Sequence, residues 1–138
     1  GIKDSSGDPA YLDRLQRLPV TRLVGNDTAF ARSRAAGAHG VVSGVACALP
    51  ELMLALDRAL AAGAADAVAK LDARLHEFIA WLNRFPVPVG IKEAVALRGL
   101  KTGPHSIPLA CETLRAVEEF RVWFRPWFIQ VCKECAGV

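Results

Sequence analysis

The chain has 138 residues, 52% of them hydrophobic, and its 17 basic and 14 acidic side chains give a formal charge of +3. That is apolar material enough for one domain with a core, and too much for a disordered chain. The arginines are scattered rather than striped, so no surface tracks a phosphate backbone, and no run of about 18 uncharged apolar residues offers a membrane span. Nucleic acid and membrane are therefore not expected partners. The amino-terminal end is a polar turn and not a cleavable signal. Four unevenly spaced cysteines, Cys47, Cys111, Cys132 and Cys135, read as reduced thiols of a cytoplasmic protein.

In chain order, Gly1-Ile2-Lys3-Asp4 is a short apolar run ending in a lysine and a Ser/Gly/Asp turn. Residues 8–18 follow as a helix, capped by Asp8, begun by Pro9, carrying Leu12, Leu15 and Leu18 at helical spacing, and stopped by Pro19. Residues 20–24 are a β-branched run ending at Gly25-Asn26-Asp27, residues 28–36 a second helix ended by Gly37, and residues 41–44 a third strand ending in Ser43-Gly44. Strands separated by helices over such short distances imply parallel neighbours with right-handed crossovers.

After Pro50 the pattern becomes helical. Residues 51–62 carry Leu52, Leu56 and Leu60 and stop near Gly63, and residues 65–85 carry Val68, Leu71, Leu75, Phe78, Ile79 and Leu82. Pro86-Val87-Pro88-Val89-Gly90 reads as a rigid extended connector into a short helix over 91–100. A loop through Pro104 and Pro108 precedes a last helix over 112–135, which Pro126 is expected to kink or divide. Residues 1–50 thus form a β/α segment, and residues 51–138 a helical section beside it.

In parallel β/α folds ligands meet the carboxyl ends of the strands. Lys3, the Gly25-Asn26-Asp27 turn and Val42-Ser43-Gly44 occupy such ends. A lysine there attacks a ketone if its surroundings favour the free amine. Spacing alone leaves the choice open between that nucleophile and a surface lysine near a turn.

The block Gly1-Ile2-Lys3-Asp4-Ser5-Ser6-Gly7-Asp8 resembles the Schiff-base lysine motif of the dihydrodipicolinate synthase and N-acetylneuraminate lyase family of class I aldolases. The resemblance continues, in the family's order, through Leu23-Val24-Gly25-Asn26-Asp27 and Gly37-Ala38-His39-Gly40-Val41-Val42-Ser43-Gly44. It then takes in Pro86-Val87-Pro88-Val89-Gly90-Ile91-Lys92 and Ile107-Pro108-Leu109.

What the resemblance implies is the carboxy-terminal part of a (β/α)8 barrel, an α/β fold, with residues 1–50 supplying strands six to eight. Residues 51–138 would be the last barrel helix and a helical extension. It further implies that Lys3 condenses with pyruvate or a related 2-oxo acid. Gly25 and Val42 would line the pyruvate moiety, and Asn26, Asp27, Ser43 and Gly44 would contact the second substrate, an aldehyde. No metal and no organic cofactor is expected, and relatives are commonly oligomers, so a homo-oligomer is expected. The family's proton-transferring tyrosine, carboxylate-holding Gly/Thr/Ser loop and pocket-mouth arginine match nothing here. They are expected on strands one to five, and the chain alone is expected to be inactive. A rival reading makes it a half-barrel whose open faces and edges drive self-association.

Other signals are set aside. Cys132-Lys133-Glu134-Cys135 has redox or zinc-half spacing but no second pair. The Phe120, Trp123, Phe124, Trp127 and Phe128 cluster reads as packing. His39, at a strand's entry, is expected to be structural, Tyr11 to pack, and Asp66 and Asp72 to lie on a solvated helix. His105-Ser106, where many relatives have an arginine, bears on helical contacts rather than on chemistry.

Overall fold

In the computed structural model, which describes residues 1–137, three short strands pair in chain order as a parallel sheet. They are β1 (Ile2–Asp4), β2 (Arg22–Val24) and β3 (Gly40–Val41), with Lys3 opposite Leu23 and Leu23 opposite Gly40. The crossovers are α1 (Pro9–Gln16) and α2 (Phe30–Ala35). Asp8 caps α1 through its carboxylate, which accepts from Ala10 N at 2.9 Å, and Leu12 and Leu15 bury the inner face. Val24, Ala29 and Ala38 form a small core on the helix side of the sheet. Because side chains alternate along a strand, the opposite side carries Lys3 and Val42, both exposed. Among the described residues the outer edges of β1 and β3 have no strand partner.

The main core belongs to α3 (Pro50–Ala62), α4 (Ala65–Leu82), α5 (Val89–Leu97) and α6 (Cys111–Cys135). Leu49, Leu52, Leu56, Leu75, Phe78 and Phe120 are wholly buried in it. Each such side chain contributes on the order of 2 kcal/mol of apolar burial. Phe30 from α2 and Val45 after β3 enter the same core, which ties the sheet to the helices. Arg98, at the end of α5, donates to the Ala48 carbonyl, pairs with Glu51 and lies 4.8 Å over the Phe128 ring. Buried Glu93 on α5 accepts from Arg121 Nε at 2.8 Å and faces His105 Nε2 at 3.1 Å, fastening the loop between α5 and α6. His105, in the stretch where an arginine was expected, thus has a partner within the helical section.

On α6, Glu134 is almost completely buried between Arg74, at 2.9 Å, and Lys70, at 3.4 Å. The Arg74 hydrogen bonds outweigh the cost of burial and, helped by Gln130, hold its carboxyl down at about 2, against an ordinary 4.5. A folded pKa below the unfolded one adds stability that is complete above about pH 5 and is withdrawn as pH falls through 4.5 toward 2. The full shift is worth up to about 3 kcal/mol. An acid titration followed by circular dichroism should therefore show Glu134→Gln less stable than the parent at pH 7, with the difference closing near pH 2.

Several elements differ from the sequence reading. Strand β2 begins at Arg22, not Val20, because Val20 N turns back to the Leu18 carbonyl at 2.8 Å. Strand β3 ends at Val41; Val42 still donates to Val24 O at 2.7 Å, but Ser43 and Gly44 lead into a 3-10 turn over Val45–Cys47. The Pro86 connector is a tight turn and not an extended one, closed by Val89 N on Pro86 O at 2.8 Å, so α5 starts at Val89, and it ends before Gly99 at a φ of +87°. Pro126 does not divide α6. The carbonyl it leaves without a helical partner belongs to Val122, which lies on the exposed side of the helix, so it is not buried by the break. Tyr11 does not pack; it is 41% exposed, because Leu12 and Leu15 take the buried face of α1. The aromatic cluster of α6 packs as expected, Phe120 and Phe124 at the centre. No described helix is long and apolar enough to cross a membrane.

Candidate active site

The carboxyl ends of the three strands bring Lys3, Gly25 and Val42 to one end of the sheet. Gly25 N donates to the Asp4 carbonyl at 2.6 Å, so the turn after β2 lies directly beside the end of β1. A Cβ at Gly25 would overlap Lys3 Cε and Ser5 Oγ. Glycine is the one residue here that leaves the lysine side chain its path. The loop after the lysine is set by local bonds: Asp4 Oδ1 accepts from Ser6 N at 2.9 Å, and Ser6 Oγ from Asp8 N at 3.1 Å. Gly7, at φ +69°, takes a left-handed turn that other residues rarely adopt.

The neighbouring loops are held the same way. Asn26 Oδ1 accepts from Thr28 N at 3.1 Å and Thr28 Oγ1 at 2.7 Å, capping the 3-10 turn Asp27–Ala29. Asp27 Oδ2 accepts from Val45 N at 3.4 Å and so braces the turn after β2 against the segment after β3, while its Oδ1 is buried without a partner. Ser43 Oγ accepts from Ala46 N at 2.9 Å. Asn26 and Ser43 thus spend their oxygens on backbone. Val42 is 47% exposed beside β2.

Beside the lysine lies an open groove of about 670 Å³ between the strand ends and the helical section. Ser5, Gly25, Asn26, Asp27, Thr28 and Gly44 line one side. Leu82, Asn83, Phe85, Val87 and Ile91, from the end of α4 to the start of α5, line the other. The structure therefore gathers Gly25, Asn26, Asp27 and Gly44 along one groove, while Lys3, Val42 and Ser43 lie outside its lining. Sequence reasoning missed Ser5 and Thr28, although Ser5 stands inside the lysine block and Thr28 follows the Asn-Asp pair. It also missed the part played by the proline connector as a wall.

His39 Nδ1 accepts from Arg22 N at 3.1 Å at the entry of β3, the structural place expected of it. Cys132 and Cys135 are free. Burial, with neighbouring negative charge, pushes both thiols up, Cys135 to about 11, the opposite of what a reactive pair requires.

The family model described as the dihydrodipicolinate synthetase family matches residues 1–123. An uncharacterised DapA-like lyase of Halobacterium salinarum is 35% identical over 111 residues, covering 79% of this chain and 36% of that protein. The 4-hydroxy-tetrahydrodipicolinate synthase of Moorella thermoacetica is 34% identical over 124 residues, covering 86% of this chain and 41% of that one. A crystal structure of dihydrodipicolinate synthase superposes with a TM-score of 0.74 at 21% identity, over 86% of this chain and 42% of its own. A monomeric dihydrodipicolinate synthase variant does so with a TM-score of 0.73 at 24% identity, over all of this chain and 45% of its own. The chain thus spans less than half the length of the proteins it matches and shares the fold of that part. With 123 of its residues inside the family model, the chain belongs to the dihydrodipicolinate synthetase family.

Proposed function

We propose that this chain carries the nucleophilic lysine of a class I aldolase or lyase, with Lys3 forming a Schiff base with pyruvate or a related 2-oxo acid. The observation that carries the reading is the passage of the Lys3 side chain over Gly25 at the carboxyl end of a parallel sheet. The amine adds to the ketone carbon and water leaves, giving an imine whose protonated nitrogen withdraws electrons from the adjacent carbon. A proton or a carbon fragment then departs from that carbon to leave an enamine, and the enamine adds to an aldehyde in the synthetic direction. Val42 offers apolar contact to the methyl side of the 2-oxo acid, and Gly25 a close backbone approach. Asn26, Asp27, Ser43 and Gly44 lie toward the aldehyde.

In this reading residues 1–50 are strands six to eight of a (β/α)8 barrel, and residues 51–138 its last helix and a helical extension. The proton transfers call for a hydroxyl or carboxyl group poised at the imine. The one tyrosine of the chain, Tyr11, sits exposed on α1 and does not serve. Turnover therefore requires the remaining strands, while the nucleophile is here. Reduction with borohydride in the presence of pyruvate, with the remaining strands supplied by a second polypeptide, tests the proposal, since it should fix a pyruvyl unit as a stable secondary amine on Lys3 and on no other lysine.

A further inference from the structure

The last turns of α6 run past the family match, which stops at residue 123, and they carry two thiols that the chemistry at Lys3 does not use. Cys132 and Cys135 are both free, and both line one cleft of about 320 Å³ between α3 and the end of α6. Three residues apart on a helix, they share one face, with Cβ atoms about 5–6 Å apart. Leu54 and Ala55 of α3 form the apolar side of the cleft, and Glu51 and Arg58 bring opposite charges to it. Both Glu51 oxygens are engaged, because Arg98 bonds one at 2.9 Å and pairs with the other. Among the described residues, no three or more histidine, cysteine, aspartate or glutamate side chains are arranged to hold a metal. The cleft therefore offers two sulfurs and no third donor that is free.

We infer that Cys132 and Cys135 together bind one soft, monovalent d10 cation of the copper(I) class, in two-coordinate geometry. Thiolates select soft cations, and a pair of them suits an ion content with two ligands, whereas zinc asks for four. Two metal–sulfur bonds in line, each about 2.3 Å as in a zinc thiolate, span about 4.6 Å, which side chains at this helical spacing can bracket. Each thiol gives up its proton as its bond to the ion forms, so two protons leave for one cation and nothing is oxidised or reduced. Burial that discourages a free thiolate does not bar a bound one, because the ion supplies positive charge as the proton leaves. The bis-thiolate complex keeps one net negative charge, and Arg58 lies in the same cleft to offset it. The apolar wall of Leu54 and Ala55 limits access by water.

The test is independent of Lys3 and uses the full chain, reduced and kept without oxygen. It is titrated against the bicinchoninate complex of copper(I), and transfer of the metal is followed by loss of the chelator's colour and by native mass spectrometry. One copper should pass to each monomer. Cys132→Ser and Cys135→Ser should each weaken retention by at least about a hundredfold, the upper end of what losing a mere outer-shell partner costs. Replacing the exposed Cys47 and Cys111 with serine should change nothing, and zinc should be held far more weakly than copper. Thermal melts of the serine variants separate loss of a ligand from loss of the fold. X-ray absorption of the parent complex needs no variant and should show two sulfur neighbours. Copper that stays with bicinchoninate would overturn the inference, as would copper retained when both Cys132 and Cys135 are serine. One copper shared between two chains, zinc held as tightly as copper, or a first shell of four ligands would overturn it too.

Discussion

Replacing Phe120 with alanine should destabilise the protein by about 3–5 kcal/mol, the cost of emptying a buried phenylalanine site that cannot collapse. Phe120 is wholly buried, and its ring lies 5.3 to 6.3 Å from those of Phe78, Trp81, Phe85, Trp123 and Phe124. These rings come from α4, the turn after it, and α6, so one truncation loosens three segments at once. None of the neighbours can fill the void without leaving its own contacts. Domains of this size are stable by only about 5–15 kcal/mol, so about a fifth or more of the total is at stake. Urea unfolding read by tryptophan fluorescence measures it directly. A loss below about 1 kcal/mol would show that the aromatic cluster is not the centre of the helical section.

The second large effect is expected at Gly25. Alanine there places a methyl group where Lys3 Cε and Ser5 Oγ now lie, and the backbone beside it is pinned by the Gly25 N bond to Asp4 O. The lysine must then give way, because its chain is the more flexible neighbour. Displacement of a reacting group by about 1 Å costs on the order of a hundredfold in rate. Gly25→Ala should therefore slow imine formation at Lys3 by about that factor, with a smaller effect on the unfolding midpoint, since the added methyl meets the ends of two side chains, Lys3 and Ser5, rather than the buried core. An unaltered trapping rate would mean that the lysine does not need its present path over the strand tip.

Much of this was legible in the sequence. The β/α alternation follows from three short runs that end in small polar residues, and the helices from leucines at helical spacing with Pro50 and Gly63 as start and stop. Boundaries were less legible where local hydrogen bonds decide them. Val20 is β-branched, yet it turns back on Leu18; the proline connector looked extended, yet Val89 N closes it on Pro86 O. Tyr11 had to be on the buried or the exposed side of α1, and periodicity alone did not weigh it against Leu12 and Leu15. For the candidate site, only the placing of the lysine at a strand end could be read from the chain; its proposed role, and that of the glycine beneath it, came from the resemblance to the family. The groove wall could not be read, because it joins residues 26–28 to residues 82–91, a contact that only the packed core determines. Asn26 and Ser43 show the other limit: a side chain suited to a ligand is equally suited to capping its own turn.

Reductive trapping reports directly whether Lys3 is the nucleophile. The chain is incubated with pyruvate and borohydride, alone and together with the amino-terminal segment of the Moorella thermoacetica synthase that precedes the matched region, and the lysine-bearing peptides are weighed. A pyruvyl adduct is expected on the Lys3 peptide in the combined sample, with its loss in Lys3→Arg and at most weak labelling in the chain alone. An adduct spread evenly over the other lysines, or one on the combined sample that survives Lys3→Arg, would contradict that role for Lys3.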